Sequence, residues 1–191
     1  MKSARLSAAL SLALSACRPE FDDRDWLIDS VRLLAVKSEP PEAKPGETVH
    51  FTALLSSPNA AAGAPDLDWR FCSAPKRLTE NNAVSSSCLS ANALEEAGRG
   101  LTIDAPTPLN GCALFGPDTP PGDFRPRDPD STGGYFQPLR VDVPGTIPAF
   151  HLQRISCGLA EASADTARAF ALAYVRNHNP TLAEVAARSS G

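Results

Sequence analysis

Thr48-Val49-His50-Phe51-Thr52-Ala53-Leu54-Leu55 alternates side chain by side chain. Val49, Phe51, Ala53 and Leu55 fall on one face, Thr48, His50 and Thr52 on the other, and only Leu54 breaks the polar side. Successive side chains of a strand point to opposite faces, so this period of two predicts a half-buried antiparallel strand. Just before it, Pro45-Gly46 predicts a type II turn: proline presets φ and glycine accepts a positive φ. Further upstream, Trp26 to Val36 is rich in apolar and β-branched residues. It predicts a strand that ends before Pro40-Pro41, because proline lacks the amide donor a central strand needs.

Downstream, Ser56 to Pro65 reads as a loop of small residues, and Asp66 to Cys72 as the next strand. Leu67, Trp69 and Phe71 would face one way, Asp68, Arg70 and Cys72 the other. From Ser73 to Pro148 clusters of Asn, Ser, Pro and Gly predict a loop-dominated stretch. A short helix is expected over Ser90 to Ala97, with Ser90 as N-cap and Gly98 as stop. Pro117 to Pro129 holds five prolines and excludes regular structure. Leu139, Val141 and Val143 alternate as a strand ended by Pro144-Gly145, and Ile147 to Cys157 predicts another. In the Ala-rich run Leu159 to Val175, helix propensity competes with the alternation of Phe170, Leu172 and Tyr174. The reading is a helical turn over Leu159 to Ala164 and a strand from Arg168 to Arg176. Asp165-Thr166-Ala167 would then be the corner entering that strand. Asn177 to Pro180 is a turn, and Thr181 with Glu184 fits a capping box.

These elements predict a mainly β fold, an immunoglobulin-like antiparallel β-sandwich with long loops and one or two short helices. Antibody domains carry a disulfide between the second and sixth strands beside a tryptophan. Here the second strand has no cysteine and Cys72 points away from the Trp69 face, so the disulfides should differ from that pattern.

The front of the chain has the parts of an export signal. Lys2 and Arg5 give a positive start, and Leu6 to Leu14 is a nine-residue apolar core. A membrane-spanning helix needs about 20 residues, so this core is too short to be one. Leu14-Ser15-Ala16 runs directly into Cys17 and resembles the lipobox of bacterial lipoproteins at all four positions. The resemblance implies diacylglycerol on the Cys17 sulfur, cleavage before Cys17 and acylation of the new amino terminus. Each buried CH₂ of an acyl chain contributes ~0.8 kcal/mol, so two or three chains would anchor the protein firmly. Arg18 rather than Asp follows the cysteine, which by similarity to such lipoproteins favours the outer membrane. Arg18 to Asp25 is polar and reads as a tether. The expected organisation is a signal peptide over 1–16, a lipidated tether over 17–25, a β-sandwich-like domain over 26–177 and a tail or linker over 178–191.

Removing the first 16 of 191 residues leaves 175, enough for one domain with a real core. A net charge of −4 and the lack of any Lys/Arg run argue against a nucleic-acid partner. With Cys17 set aside, Cys72, Cys88, Cys112 and Cys157 remain, an even number in a compartment that permits disulfides. Zinc sites bring ligands in pairs about two to four residues apart, whereas these gaps are 16, 24 and 45. Two disulfides are therefore expected. Sequence leaves three pairings open. Cys72 with Cys88 and Cys112 with Cys157 is favoured, because neighbours in sequence most readily meet.

Val31-Arg32-Leu33-Leu34-Ala35-Val36, the turn Lys44-Pro45-Gly46-Glu47 and Trp69-Arg70-Phe71-Cys72 together resemble the opening of uncharacterised myxobacterial-type lipoproteins. Gly133-Gly134-Tyr135-Phe136-Gln137-Pro138 and Asn179-Pro180-Thr181-Leu182 are similar to later landmarks of that group. The resemblance implies a structural module without a known activity, one that often continues into further β-sandwich modules.

Candidate sites are few. Asp128-x-Asp130-x-Thr132-Gly133 matches the first half of a calcium loop, but its twelfth position is Leu139 instead of a bidentate Glu. It reads as a polar turn. His50, His151 and His178 share no metal-ligand spacing and neighbour no nucleophile motif. Trp26, Trp69 and Tyr135 could form a binding patch, although Trp69 is better explained as core. No Gly-x-Ser-x-Gly, His-Glu-x-x-His or phosphate loop occurs. No catalytic residue, cofactor or metal is assigned. The expectation is a non-enzymatic, lipid-anchored envelope protein with a binding, adhesion or structural role. The alternatives are an accessory subunit with an envelope protein as partner, or an enzyme with a loop-borne site between residues 73 and 148.

Overall fold

The computed structural model describes residues 28–58, 63, 65–75, 84–115, 133–159 and 162–181. The signal, the tether, Trp26, Pro117–Pro129, the Asp128–Thr132 run and Glu184 lie outside them. Eight strands and three short helices follow in chain order: β1 Arg32–Glu39, β2 Glu42–Ala43, β3 Thr48–Ser56, β4 Asp68–Cys72 and α1 Ser86–Leu89. After these come β5 Leu94–Arg99, β6 Thr102–Pro106, α2 Gly111–Phe115, β7 Gly134–Asp142, β8 Ala149–Ser156 and α3 Ala164–Ala173.

The fold is mainly β, with two sheets in sandwich-like layers. One sheet has the order β1-β3-β6 and is antiparallel throughout. The other has the order β2-β8-β7-β4-β5, antiparallel except for the parallel pair β2–β8. The chain passes between the sheets at Pro40-Pro41, where neither residue can donate to a ladder. The Glu39–Pro40 peptide bond there is cis. The predicted turn at Pro45-Gly46 is present: Gly46 has φ +78° and the Glu47 amide donates to the Lys44 carbonyl at 3.0 Å.

Each alternating strand contributes its apolar face to one core. Val49, Phe51 and Ala53 of β3 pack with Trp69 and Phe71 of β4, Ile103 and Ala105 of β6, and Leu139 and Val141 of β7. Leu67, one residue ahead of β4, joins them. Fully burying one such aliphatic or aromatic side chain contributes about 1.5–3 kcal/mol. Trp69 is completely enclosed, and its indole N–H donates to the Gly100 carbonyl at 2.7 Å. Its one polar atom is therefore satisfied.

Both disulfides pair cysteines adjacent in sequence, Cys72–Cys88 and Cys112–Cys157, with Cα–Cα separations of 5.6 and 5.4 Å. Cys72 faces away from Trp69, as its parity requires. With Cys88 and Val84 it forms a second small core on the outer side of β4. Neither bridge crosses between the sheets. Each fastens a helical turn to the five-stranded sheet, α1 beside β4 and α2 beside the end of β8.

Three expectations need correction. Residues 90–97 are not a helix: the helix is Ser86–Leu89, and Leu94–Arg99 is strand β5. The free edge of β4 recruits that segment, and Gly98 serves as a bulge residue rather than a helix stop. It has φ +151°, beside a register shift at Trp69/Arg70. The stretch from Ser73 to Pro148 is likewise less loop-dominated than expected, because β5 pairs with β4 in one sheet and β6 with β3 in the other, and Gly100-Leu101 between them carries the chain across.

The third correction is at Arg168–Arg176, where the expected strand is helix α3 through Ala173, followed by extended chain from Tyr174. Five alanines within Ala164–Ala173 favour helix. Phe170 and Tyr174, which alternation had placed on a strand face, are also four residues apart. They stack with ring centroids 4.8 Å apart. Asp165-Thr166-Ala167 is thus the first turn of a helix, capped by Ser163, whose Oγ accepts from the Thr166 amide at 3.2 Å.

Candidate functional site

The two sheets part company along one side, between edge strand β1 and the outer edge of β8. β2 closes only part of that gap, because its two residues pair with Arg154 and Ile155 alone. Above it lies an open cleft of about 550 Å³, walled by Val36, Pro41, Phe136 and Leu152 and rimmed by His151 and Asn179. Phe136 and Leu152 belong to the outer face of the β7–β8 pair and are half exposed, 50% and 43%. The Arg154 guanidinium lies 5.7 Å from the centre of the Phe136 ring.

His151 points the other way, toward the core. Its ring meets Phe51 edge-on at 5.9 Å, and its Nε2 is buried without a hydrogen-bond partner among the described residues. Burial pushes its pKa down, and the neighbouring Gln153 side chain only partly opposes this. The ring is accordingly neutral at physiological pH. The other two histidines are elsewhere. His50 reaches across to Asp104 on β6 at 2.8 Å, in a solvent-exposed pair, and His178 is exposed. The three do not converge.

Below the cleft is a polar cluster built around Glu42. Its side chain is completely enclosed, yet both carboxylate oxygens are engaged. Ser156 Oγ donates to Oε1 at 2.5 Å, Tyr174 Oη donates to the same oxygen, and the Asn177 amide donates to Oε2 at 3.1 Å. Arg154 Nε stands 3.4 Å from Oε2. Burial raises the Glu42 carboxyl pKa, but the donors from Ser156, Tyr174 and Asn177 and the charge of Arg154 together outweigh it. The net effect is a carboxyl held below its ordinary value. On Tyr174 burial acts in the same direction as the neighbouring carboxylate, and both raise its phenol.

The extended chain after α3 runs along this edge. Arg176 donates to the Glu42 carbonyl at 2.7 Å and pairs with the Glu47 carboxylate at 2.6 Å. Asn179 Nδ2 donates to the Ser38 carbonyl at 2.7 Å and to Glu39 Oε2 at 2.8 Å. Tyr174 thus lies opposite Glu42 and Asn179 opposite Ser38, so the segment runs antiparallel to the β1–β2 course. No local pattern in the sequence announces this arrangement. The partners of Glu42 on the segment are 132 and 135 residues away. The only local hint is an acid set between Pro40-Pro41 and an alanine that is itself buried.

Of the residues singled out from sequence, Cys17, Trp26 and Asp128–Thr132 lie outside the described residues. Trp69 and Tyr135 are buried, so they offer no surface patch, and Leu139 is core. Arg140, unmarked in the sequence, bridges layers: it donates to the Cys88 and Leu89 carbonyls at 2.9 and 2.7 Å and pairs with Asp142. Among the described residues no group of three His, Cys, Asp or Glu could hold a metal ion, and no helix is long and apolar enough to cross a membrane. No family model, no curated protein and no solved structure matches the chain.

Proposed function

We propose that this chain is a cell-envelope lipoprotein, anchored through Cys17 in the outer membrane, whose β domain has a binding, adhesion or structural role rather than an enzymatic one. Leu14-Ser15-Ala16-Cys17 behind a short apolar core carries the reading. Two pairs of cysteines within bonding distance support it, since disulfides persist in oxidising compartments outside the cytoplasm. A binding role is supported by the open cleft with half-exposed Phe136 and Leu152 on its wall. The immunoglobulin-like part of the reading draws on strand order. β1-β3-β6 corresponds to A-B-E, and β8-β7-β4 to G-F-C, in a sandwich of that kind.

Radiolabelled palmitate should enter the full chain and not the Cys17→Ala variant, and the variant should leave the membrane fraction for the soluble one. Unchanged membrane fractionation of Cys17→Ala would overturn the anchor. Binding is tested with Phe136→Ala and Leu152→Ala against whole envelopes. Crosslinked partners should be lost from both variants while the fold, read by near-UV circular dichroism, is retained.

A further inference from the structure

We propose that residues 174–179 form a strap gripped by three glutamates, Glu39, Glu42 and Glu47, and that acid releases this strap as a unit while the two-sheet core stays folded. The geometry carries the inference. Every side-chain acceptor that holds the segment in the described structure is a carboxylate: Glu42 for the Tyr174 hydroxyl and the Asn177 amide, Glu47 for Arg176, Glu39 for Asn179. Main-chain carbonyls of Glu42 and Ser38 add two further acceptors, and no ladder joins the strap to either sheet.

The strap contributes little to the core. Val175 is exposed and Arg176 and Asn179 are only partly covered, so its detachment leaves Phe51, Trp69 and Leu139 in place. Segments of few apolar contacts and mainly polar attachment open at lower free energy than a core does. The charged groups facing the grip are Arg154 from β8, Lys37 beside Glu39, Lys44 beside Glu47, and Arg176 and His178 on the strap itself. Each of them favours the ionised form of the carboxylate it faces.

The sign follows. Each of the three carboxyls is held below its ordinary value: at Glu42 donors and charge outweigh burial, at Glu47 the first cause is Arg176, and at Glu39 it is Asn179. The grip is complete while all three are ionised and fails as pH falls through their lowered values. A protonated Glu42 must itself donate, and it cannot accept from Ser156, Tyr174 and Asn177 together. Release uncovers Glu42, Ser156 and the outer edge of β2, and it widens the neighbouring cleft, whose wall includes Asn177, Asn179 and Pro180.

Amide hydrogen exchange on the full chain tests this. Between about pH 6 and about pH 3.5 the protection factor of the Asn177 amide should fall at least ~10-fold while those of Phe51 and Leu139 change less than ~2-fold. Glu42→Gln should lower Asn177 protection already at neutral pH and flatten its pH dependence. The double variant Tyr174→Phe/Arg176→Ala keeps the buried carboxylate and should show the same loss with an intact core, which guards against misfolding of Glu42→Gln. If Asn177 loses protection only together with Phe51 and Leu139, or if the double variant keeps wild-type protection at Asn177, the strap is not a separate unit.

Discussion

Glu42 is a carboxylate placed where an apolar residue would ordinarily sit, and its energetics follow from how completely it is served. Removing one partner of a buried ionic cluster costs more than forming it gained, because the remaining groups are left uncompensated. Glu42→Ala removes the acceptor shared by Ser156, Tyr174 and the Asn177 amide and the carboxylate that Arg154 faces. It should lower the urea-unfolding free energy by ~3–5 kcal/mol, measured as a reduced midpoint at unchanged slope. The same group fixes a pH dependence. Its folded carboxyl lies below the ordinary value of 4.5, so its stabilisation is fully present above about that pH and is lost as pH falls through the lowered value. Thermal midpoints taken from neutral to acid should decline first in that window, and those of Glu42→Gln should decline less. Gly133 makes a different demand. It has φ +73°, and a Cβ there would enter the Phe170 ring. Gly133→Ala should therefore loosen α3 selectively, by ~1–3 kcal/mol, read as faster protease cleavage between Ala162 and Tyr174 with core protection retained.

At the scale of elements, what could be read from the chain was whatever depends on neighbours in sequence. β3 is visible because Val49, Phe51 and Ala53 share a face, and all three are core. β4, β7 and β8 carry the same signal. β6 carries it too, in Thr102-Ile103-Asp104-Ala105 with Ile103 and Ala105 buried, but it is short and set among turn residues that mask it. β5 had no such signal. Leu94-Glu95-Glu96-Ala97 looks helical, and only the unpaired side of β4 makes it a strand, which is tertiary override of local preference. α3 failed for the opposite reason. Spacings of two and four both fit Phe170, Leu172 and Tyr174, and the chain takes the helix that its five alanines favour. The polar cluster was not legible at all. Its members come from β2, β8 and the strap, and nothing local says that Arg176 will meet Glu47.

Over the whole molecule, the covalent and non-covalent restraints divide the work between the sheets. Both bridges belong to the five-stranded sheet, where they close loops of 16 and 45 residues. The chain-entropy account assigns ~3 and ~4 kcal/mol to loops of these lengths. Cys72→Ser/Cys88→Ser should accordingly lower stability by ~3 kcal/mol and the Cys112→Ser/Cys157→Ser pair by ~4, in equilibrium denaturation under non-reducing conditions. Among the described residues the three-stranded sheet carries no disulfide, and it joins the core through Phe51, Ile103 and Ala105.

The direction of the strap has a mechanical consequence. Tyr174 lies beside Glu42 and Asn179 beside Ser38, so the strap runs opposite to β1 and its C-terminal end lies toward the start of β1. Tension drawn between the start of β1 and residue 181 would load these bonds in sequence, as in unzipping, and not side by side, as in shear. Asn179 would yield first, then Asn177 and Arg176, and Tyr174 last, so the strap would peel at low force before any strand of the core is stretched.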